Sequence, residues 1–401
     1  GDKEYTYGEL EGLANRYARG IQSLGVKKGE RVGIFMQNSP EFIIAHFGNL
    51  KAGAVTVPLN VMYRKHELRH MVNDSGAVAM VVSQENLQYV MEVRKELKTL
   101  QRIVVVSDAP AEGGILFRDV LDGQADACLP AQNIEEDLAV ICYTSGTTGL
   151  AKGAMLSHAN FLANISTLAS IWELSENDKL MMALPMFHVH GLGIVLHGMA
   201  YCGYSMVLHE RFDSKRVISG IHRHRCTVFM GVPTMYVRLI EEDLKDVDLS
   251  CVRLWTVGSA PMPVEVLNKF REKFKAEILE RYGMTETAVV IASNPHRGLK
   301  KAGSVGPAIP GVQIAILDED GGTMARDEVG EIVVKGPNVM KGYWNREAET
   351  DEAFRNGWFH TGDLGLLDSD GYLHIVGRKK EMIIASGFKI FPREVEEVIH
   401  T

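Results

Sequence analysis

The chain has 401 residues, of which 46% are hydrophobic and 23% are charged, and its formal net charge is −8. This composition is ordinary for a globular chain, and the length predicts about two or three domains. The negative charge argues against a protein that binds nucleic acid through a broad basic surface. The cysteines form no C-x-x-C pair, which favours a reducing compartment, and therefore the cytoplasm, over a disulfide scaffold.

A long uncharged stretch, "GLGIVLHGMAYCGYSMVL" at 191 to 208, contains His197 and three interior glycines. A membrane-spanning helix needs about 20 mostly apolar residues. We therefore interpret the stretch as a buried helix, a turn and a strand, and we expect no transmembrane segment. A peripheral membrane contact and a homodimer both remain open at this point.

From residue 31 to about 290, strand-like and helix-like runs alternate along the chain. "RVGIFMQN" at 31 to 38 predicts a strand, and Ser39 followed by Pro40 predicts the N-cap and first residue of a helix. Further apolar runs predict more strands, and they include "VTVPLN", "VAMVVS", "RIVVVS", "DLAVICYT", "KLMMALP", "YSMVLHE", "CTVFMGVP" and "VRLWTVGS". This alternation predicts an α/β fold with parallel sheets covered by helices, and the length favours two sheets.

After about residue 303 the pattern changes to short strands separated by Gly, Pro and the turn "EDGG". This predicts a small β-barrel subdomain, an antiparallel barrel or sheet, at about 303–376. We expect residues 1–376 to form one large N-terminal domain. Residues 377–401 are charged, then hairpin-like around Ser386-Gly387, then helical after Pro392. They predict a hinge and the beginning of a small C-terminal α+β domain that continues beyond the last residue.

A small, polar loop follows the predicted strand "DLAVIC", with the sequence "YTSGTTGLAK" at 143 to 152. Its glycines let the backbone approach a ligand closely, and its turn amides and hydroxyls offer donors without bulk. Lys152 adds a positive charge, so the loop suits a polyphosphate. The spacing is not that of a Walker A loop. These residues alone are equally compatible with a polar surface turn.

Six motifs occur in one order along the chain: "YTSGTTGLAKG", "PMFHVHGL", "VGSAPMP", "ERYGMTET", "GWFHTGDLG" and "GRKKEMIIASGFKIFPREVE". Together they resemble the adenylate-forming superfamily, the AMP-dependent synthetases and ligases, over essentially the whole chain. The resemblance implies an AMP-binding ligase that activates a carboxylic acid with ATP and Mg²⁺. The acid becomes an acyl-adenylate with release of pyrophosphate, and a thiol, usually that of CoA, then displaces AMP.

The resemblance also implies roles for individual residues around the phosphates. Thr285 would contact the α-phosphate and Glu286 would hold Mg²⁺, with Thr144 as a second metal position. Thr285, Glu286, Lys152 and His188 form the implied catalytic set, in which His188 gates the carboxylate pocket, although a lone histidine is commonly structural. The residues that would cradle the β- and γ-phosphates are Thr144, Ser145, Gly146, Thr147, Thr148, Gly149 and Lys152.

The nucleoside and the C-terminal segment have implied partners as well. Asp363 would accept hydrogen bonds from the ribose hydroxyls, and Arg378 would approach the ribose or a phosphate. Lys380 falls at the family's hinge, about which the C-terminal domain rotates between half-reactions. The implied adenine site consists of Gly258, Ser259, Ala260, Tyr282, Gly283 and Met284. The family's adenylating lysine lies late in the C-terminal domain, and no residue here can be matched to it.

The acid is left open between several classes. The implied pocket is mostly small or apolar, which favours a fatty acid and a place in fatty acid metabolism. Arg238 and Arg281 lie beside it in sequence, and an arginine fork could pair a second carboxylate; "LERYGMTET" also resembles malonyl-CoA synthetases. An aryl acid as substrate, a luciferase-type oxygenase and a non-catalytic nucleotide-binding homologue are also compatible with these motifs.

Overall fold

The structure is a computed structural model that describes residues 3–110, 112–131, 133–144 and 150–381, with the backbone of 383–385 and 388–390. The chain forms two compact units. The first consists of Gly1–Ala159, Pro185–Leu192 and Met340–Glu347, and the second of Asn160–Leu184, Gly193–Val339 and Ala348–Thr401.

A seven-stranded sheet forms the centre of the first unit, in the order β5-β4-β3-β1-β2-β6-β7. Its strands are β1 (Arg31–Phe35), β2 (Val55–Pro58), β3 (Ala79–Ser83), β4 (Arg102–Val106), β5 (Ile115–Leu116), β6 (Leu138–Thr144) and β7 (Lys152–Ser157). The pairs are parallel except for β6 with β7, which is antiparallel. The helices of this region are α1 (Tyr7–Ser23), α2 (Pro40–Lys51), α3 (Lys65–Ser75), α4 (Gln84–Val93) and α5 (Phe117–Leu121), with a 3-10 turn at Arg94–Glu96.

Local sequence explains where these elements begin. The Ser39 hydroxyl accepts the Phe42 N–H at 3.2 Å and Pro40 is the first residue of α2, which confirms the predicted cap. Strand β1 is buried along Val32–Phe35, as expected for a parallel strand covered on both faces.

A six-stranded sheet forms in the second unit, in the order β13-β12-β11-β10-β8-β9. Its strands are β8 (Lys179–Met182), β9 (Ser205–Leu208), β10 (Val228–Gly231), β11 (Leu254–Val257), β12 (Ile278–Met284) and β13 (Val289–Ser293). All pairs are parallel except β12 with β13. The helices are α6 (His158–Ile171), α7 (His197–Cys202), α8 (Ser214–His224), α9 (Pro233–Glu241) and α10 (Val264–Phe274), with a π-helix at His190–Leu196 and a 3-10 turn at Thr285–Thr287. The predicted α/β class with two parallel sheets is therefore confirmed.

An antiparallel sheet lies within the segment that was predicted as a small barrel or sheet. Its order is β14-β15-β17-β16, and β18 also pairs with β17. Its strands are β14 (Gln313–Leu317), β15 (Gly330–Lys335), β16 (Phe354–Arg355), β17 (Trp358–Leu367) and β18 (Leu373–Arg378), and α11 (Glu347–Ala353) precedes β16. A small core of Ile316, Ile332, Val334 and Leu373 fills one side of it.

The last described segment forms the predicted hairpin, in which β19 (Ile383–Ala385) pairs antiparallel with β20 (Phe388–Ile390). Its turn at Ser386-Gly387 and the helix predicted after Pro392 lie outside the described residues. The domain boundary placed after residue 376 stays a prediction.

The uncharged stretch at 191 to 208 continues the π-helix, forms α7, turns at Gly203 with a φ of 74°, and enters β9. This agrees with the helix, turn and strand that we expected. Over the whole described part of the chain, no helix combines the length and the apolarity that a bilayer crossing requires.

Helices α1 and α2 approach each other most closely at Gly48. A Cβ built on Gly48 would lie 2.4 Å from Tyr17 Cδ1 and 3.0 Å from the Ala14 carbonyl oxygen. Tyr17 is fully buried, so it has little room to move. At Gly12, on α1, a Cβ would meet Asp126 Cβ at an ordinary 3.5 Å.

We therefore expect Gly48→Ala to lower the free energy of unfolding by about 1–3 kcal/mol, since an added methyl group overpacks the helix contact. Gly12→Ala is the matched control, because alanine favours a helix by up to about 1 kcal/mol over glycine. Urea denaturation measures both variants. Equal stability of the two variants would contradict the close contact at Gly48.

Candidate active site

The predicted phosphate loop joins two antiparallel strands of the first unit. Thr144, at the end of β6, pairs with Lys152, at the start of β7. The Thr144 hydroxyl donates to the Lys152 carbonyl oxygen at 3.4 Å. The loop is therefore a hairpin connection whose ends are fixed by the strand ladder. The predicted phosphate ligands Ser145, Gly146, Thr147, Thr148 and Gly149 lie outside the described residues.

The Lys152 ammonium group lies over an aromatic ring. Its Nζ is 4.4 Å from the centroid of Tyr343, which is within the range of a cation–π contact. Tyr343 is 8% exposed and belongs to the same unit as Lys152. The charge at the end of the loop is thus held close to β7 by a ring that sequence analysis did not single out.

His188 is exposed in the segment that leads into the π-helix. Its Nδ1 accepts the backbone N–H of His190 at 3.1 Å. A neutral His188 ring therefore carries its proton on Nε2, which leaves that nitrogen as a donor. Helices of the π type occur frequently at functional sites, so the surroundings agree with the role implied for His188.

A tyrosine and an aspartate meet in the second unit. Tyr282, on β12, donates its hydroxyl proton to Asp363 Oδ2 at 2.5 Å. Arg378 Nε lies 3.5 Å from Asp363 Oδ1, and the Asp363 side chain is 14% exposed. The antiparallel pairing of β17 with β18 places Asp363 opposite Arg378. Three of the predicted nucleoside contacts, which lie far apart in sequence, therefore form one cluster.

The ionisation of this cluster follows from its burial. Burial raises the pKa of Asp363, while the Tyr282 hydroxyl and the Arg378 charge act in the opposite direction. Burial also raises the pKa of Tyr282, and the Asp363 carboxylate raises it further. Tyr282 therefore stays a neutral donor, and Asp363 is an acceptor that carries a desolvation cost.

The turn after β12 is strained. A β-bulge separates Tyr282 from Gly283, and a Cβ on Gly283 would lie 1.6 Å from the Val289 carbonyl oxygen. Ala288 and Val289 have φ values of 47° and 116°, a region that a β-branched residue rarely adopts. Such strain concentrates at functional sites, and here it fixes the 3-10 turn that carries Thr285 and Glu286.

Another turn follows β11, the strand that pairs with β12. Gly258 is buried, whereas Ser259 and Ala260 are exposed, and Ser259 has a φ of 71°. The pairing of Val257 with Glu280 places this turn beside Arg281 and Tyr282. The adenine wall implied for Gly258, Ser259 and Ala260 stays a prediction.

Arg281 is the least expected residue of the region. It is 3% exposed, and its Nε and Nη2 have no hydrogen-bond partner in the described part of the chain. Its guanidinium lies against Gly258, where a Cβ would be 2.4 Å from Arg281 Cζ. Burial lowers the pKa of Arg281 to about 9. Arg238, the other arginine considered, is exposed on α9.

Glu286 suits a hard cation. It is a buried carboxylate, 5% exposed, and Mg²⁺ prefers oxygen ligands of this kind. Thr144 belongs to the first unit and Glu286 to the second. Among the described residues, no group of three or more His, Cys, Asp or Glu side chains could hold a metal ion by itself. A magnesium ion bound by Glu286 would therefore need further oxygen ligands besides His, Cys, Asp and Glu side chains of the described residues.

The fold and this cluster define the class of protein. Parallel sheets whose strands end in polar turns are features of nucleotide-binding α/β proteins. A model of the AMP-binding enzyme family matches residues 1–344. The chain belongs to this family.

Known relatives agree with that assignment. A long-chain-fatty-acid–CoA ligase of Bacillus subtilis is 35% identical over 99% of this chain and 76% of its own. The crystal structure of ATP-bound MatB from Rhodopseudomonas palustris is 36% identical, with a TM-score of 0.92 over all of this chain and 78% of MatB. The anthranilate CoA ligase AuaEII in complex with anthranoyl-AMP is 30% identical, with a TM-score of 0.93 over 99% of this chain and 77% of AuaEII.

We expect Asp363→Asn to weaken ATP binding by about 10- to 100-fold, because hydrogen bonds to a charged acceptor contribute roughly 1.5–3 kcal/mol. The same variant should be at least as stable as the wild type at pH 8. Because the pKa of Asp363 is raised above 3.8 in the folded state, this carboxyl group ionises at a lower pH in the unfolded chain. The wild type therefore loses stability as the pH rises from 3.8 through the folded-state pKa.

Thermal unfolding between pH 3 and pH 8, together with calorimetric titration of ATP, tests this prediction. The stability advantage of the variant should be smallest at the acidic end and largest at the alkaline end. A variant that is clearly less stable at pH 8 would show that Asp363 is a structural carboxylate instead.

Proposed function

We propose that this protein is an ATP-dependent acyl-CoA synthetase, an acid–thiol ligase that forms AMP. The observation that carries the proposal is the cluster of Tyr282, Asp363 and Arg378 beside the strained turn with Thr285 and Glu286. Membership of the AMP-binding enzyme family and the CoA-ligase activity of its relatives support it.

The chemistry has two steps. A carboxylate oxygen of the acid attacks the α-phosphorus of ATP, the bond to the β-phosphate oxygen breaks, and pyrophosphate leaves. The sulfur of CoA then attacks the acyl carbon of the adenylate, the acyl–oxygen bond breaks, and AMP leaves as the thiol loses its proton. Both partners of the first step are anionic, so positioning and charge neutralisation must lower its barrier.

The residues of the second unit bind the nucleoside in this proposal. Asp363 accepts the two ribose hydroxyls, and Tyr282 lies beside the adenine together with Gly283, Met284 and the turn Gly258–Ala260. Arg378 is 57% exposed, so its side chain can turn towards the ribose or a phosphate. The buried, hydrogen-bonded carboxylate supports this role because its orientation is fixed before the nucleotide arrives.

Two groups of residues bind the phosphates in this proposal. Thr144, Lys152 and the loop between them contact the β- and γ-phosphates, and Thr285 contacts the α-phosphate. Glu286, with Thr144, would hold Mg²⁺, which when bound neutralises charge on the phosphate oxygens. His188 gates the carboxylate pocket in this proposal.

The second step requires a change of arrangement at Lys380. Lys379 is the last residue tied to β17, through its N–H to the Gly362 carbonyl oxygen at 2.9 Å. Lys380 follows in an exposed turn before β19. A loop residue just beyond a fixed strand is a suitable pivot, and the hairpin β19–β20 would then move with the thiol-accepting segment.

For the acid we propose a fatty acid. The support is a relative that acts on long-chain fatty acids and an implied pocket of mostly small or apolar residues. We also place the protein in the cytoplasm, because the cysteines at 128, 142, 202, 226 and 251, all of them described, form no disulfide bond.

A short dicarboxylic acid is the second candidate, and Arg281 favours it. A buried charge without a partner costs several kcal/mol, and a second carboxylate could accept the unused Nε and Nη2 protons. A fatty acid offers no such group. The two candidates therefore differ in whether Arg281 contacts the substrate.

The proposed function predicts pyrophosphate release that depends on an added acid. We expect Glu286→Gln, which is isosteric, to slow this release by about 100-fold or more with little change in Tm. Glu272→Gln changes an exposed glutamate on α10 and is the control. The assay uses the naturally produced full-length protein with ATP, Mg²⁺, CoA and a panel of acids. ATP binding without pyrophosphate release from any acid would favour a non-catalytic nucleotide-binding homologue.

The choice between acids is tested with mono- and dicarboxylates of equal length. If a dicarboxylate is the substrate, Arg281→Met should lower the dicarboxylate-to-monocarboxylate ratio of kcat/KM by about 10- to 100-fold. Its stability should not fall, because an unpaired buried charge is removed. Arg238→Met, which changes an exposed arginine on α9, is the matched control. An unchanged ratio, with octanoate preferred, would leave the fatty acid as the substrate.

A further inference from the structure

Two of the polar residues on helix α3, His70 and Asp74, lie four positions apart. Residues at this spacing lie on the same face of a helix, one turn from each other. The helix is anchored separately, through Leu68, Met71 and Val72, whose exposures are 0%, 2% and 1%. The polar pair is therefore not needed to hold α3 in place.

Asp74 binds the strand that leads into the nucleotide loop. The Tyr143 hydroxyl donates to Asp74 Oδ2 at 2.7 Å, and Tyr143 directly precedes Thr144. Burial raises the pKa of Tyr143, so its hydroxyl remains a donor. Arg346 Nη2 donates to the other oxygen, Oδ1, at 2.9 Å. Both oxygens of the carboxylate are thus engaged.

His70 binds the other end of the same loop. Its Nε2 donates to the Ala151 carbonyl oxygen at 2.7 Å, and Ala151 directly precedes Lys152. The His70 ring also meets the edge of the Tyr143 ring, with centroids 6.1 Å apart. One face of one helix therefore contacts the chain on both sides of the loop.

The same face orders the aromatic residues beneath Lys152. The Asp74 carbonyl oxygen accepts the Trp344 indole N–H at 3.0 Å. The Trp344 backbone N–H donates to the Gly153 carbonyl oxygen at 2.8 Å. Tyr343, whose ring lies under the Lys152 ammonium, precedes Trp344 directly. Asp74 therefore fixes the residue that holds the lysine as well as the entry of the loop.

We propose that the His70–Asp74 face of α3 is a positioning element for the nucleotide loop. It touches no substrate atom. It sets the separation and orientation of the two loop ends, so that the loop amides and Lys152 meet the triphosphate without a large loss of backbone freedom. This inference rests on the proposed role of the loop in binding the phosphates of ATP.

The test compares variants of two histidines on the same helix. We expect His70→Ala to raise both the KM and the directly measured Kd for ATP about tenfold, because one anchor of the loop is lost. His70→Gln retains an N–H donor and should restore most of the affinity. His66→Ala changes an exposed histidine one turn earlier on α3 and should leave both constants unchanged. Asp74→Asn, which keeps one acceptor oxygen, should weaken ATP binding in the same direction.

Several outcomes would overturn the inference. One is an unchanged ATP affinity in both His70→Ala and Asp74→Asn. Another is an equal loss of ATP affinity in His70→Gln and His70→Ala. Lys152→Ala separates this inference from the proposed function. If Lys152→Ala leaves the ATP affinity intact, the loop itself does not bind the phosphates. If Lys152→Ala weakens ATP binding but the α3 variants do not, the loop binds the phosphates without help from α3.

Discussion

Burial of the parallel strands on both faces is the constraint from which the rest follows. A strand such as β10, buried at all of its residues, can show no polar side chain to a ligand along its length. Along a strand buried in this way, polar groups proposed to meet a nucleotide can therefore appear only where the strand ends. The turn with Gly258–Ala260 follows β11, the turn with Thr285 and Glu286 follows β12, and Thr144 ends β6. In the parallel sheets, these proposed contacts lie at strand ends because the sheet interiors exclude polar groups, whereas Asp363 lies within the antiparallel strand β17.

This constraint also explains which parts could be predicted from the sequence. Apolar runs with β-branched residues predict buried strands, and a serine followed by proline predicts the start of a helix. Both could be predicted because these signals are local in sequence. The bond between Tyr282 and Asp363 joins residues that are 81 positions apart, and no local pattern contains that pairing. The cation–π contact of Lys152 with Tyr343 was missed for the same reason.

Arg281 shows a different limit of local reasoning. The sequence places Arg281 beside the implied acid pocket, and in the structure its guanidinium is buried against Gly258. The guanidinium fits there because Gly258, which follows the neighbouring strand β11, has no Cβ. Charge alone therefore predicted neither its burial nor its unused donors. Both Arg281 and Asp363 cost folding free energy, and such costs are usually retained where function requires them.

A loop made of glycine and small hydroxyl residues gains close approach to phosphate, but glycine also loses the most backbone entropy when it is ordered. That cost can be reduced in advance by fixing the two ends of the loop. The strand ladder between Thr144 and Lys152 does so from one side. Contacts from helix α3, made by residues four positions apart, do so from the other. In our proposal, a frame outside the loop thus fixes the two loop ends before the nucleotide binds.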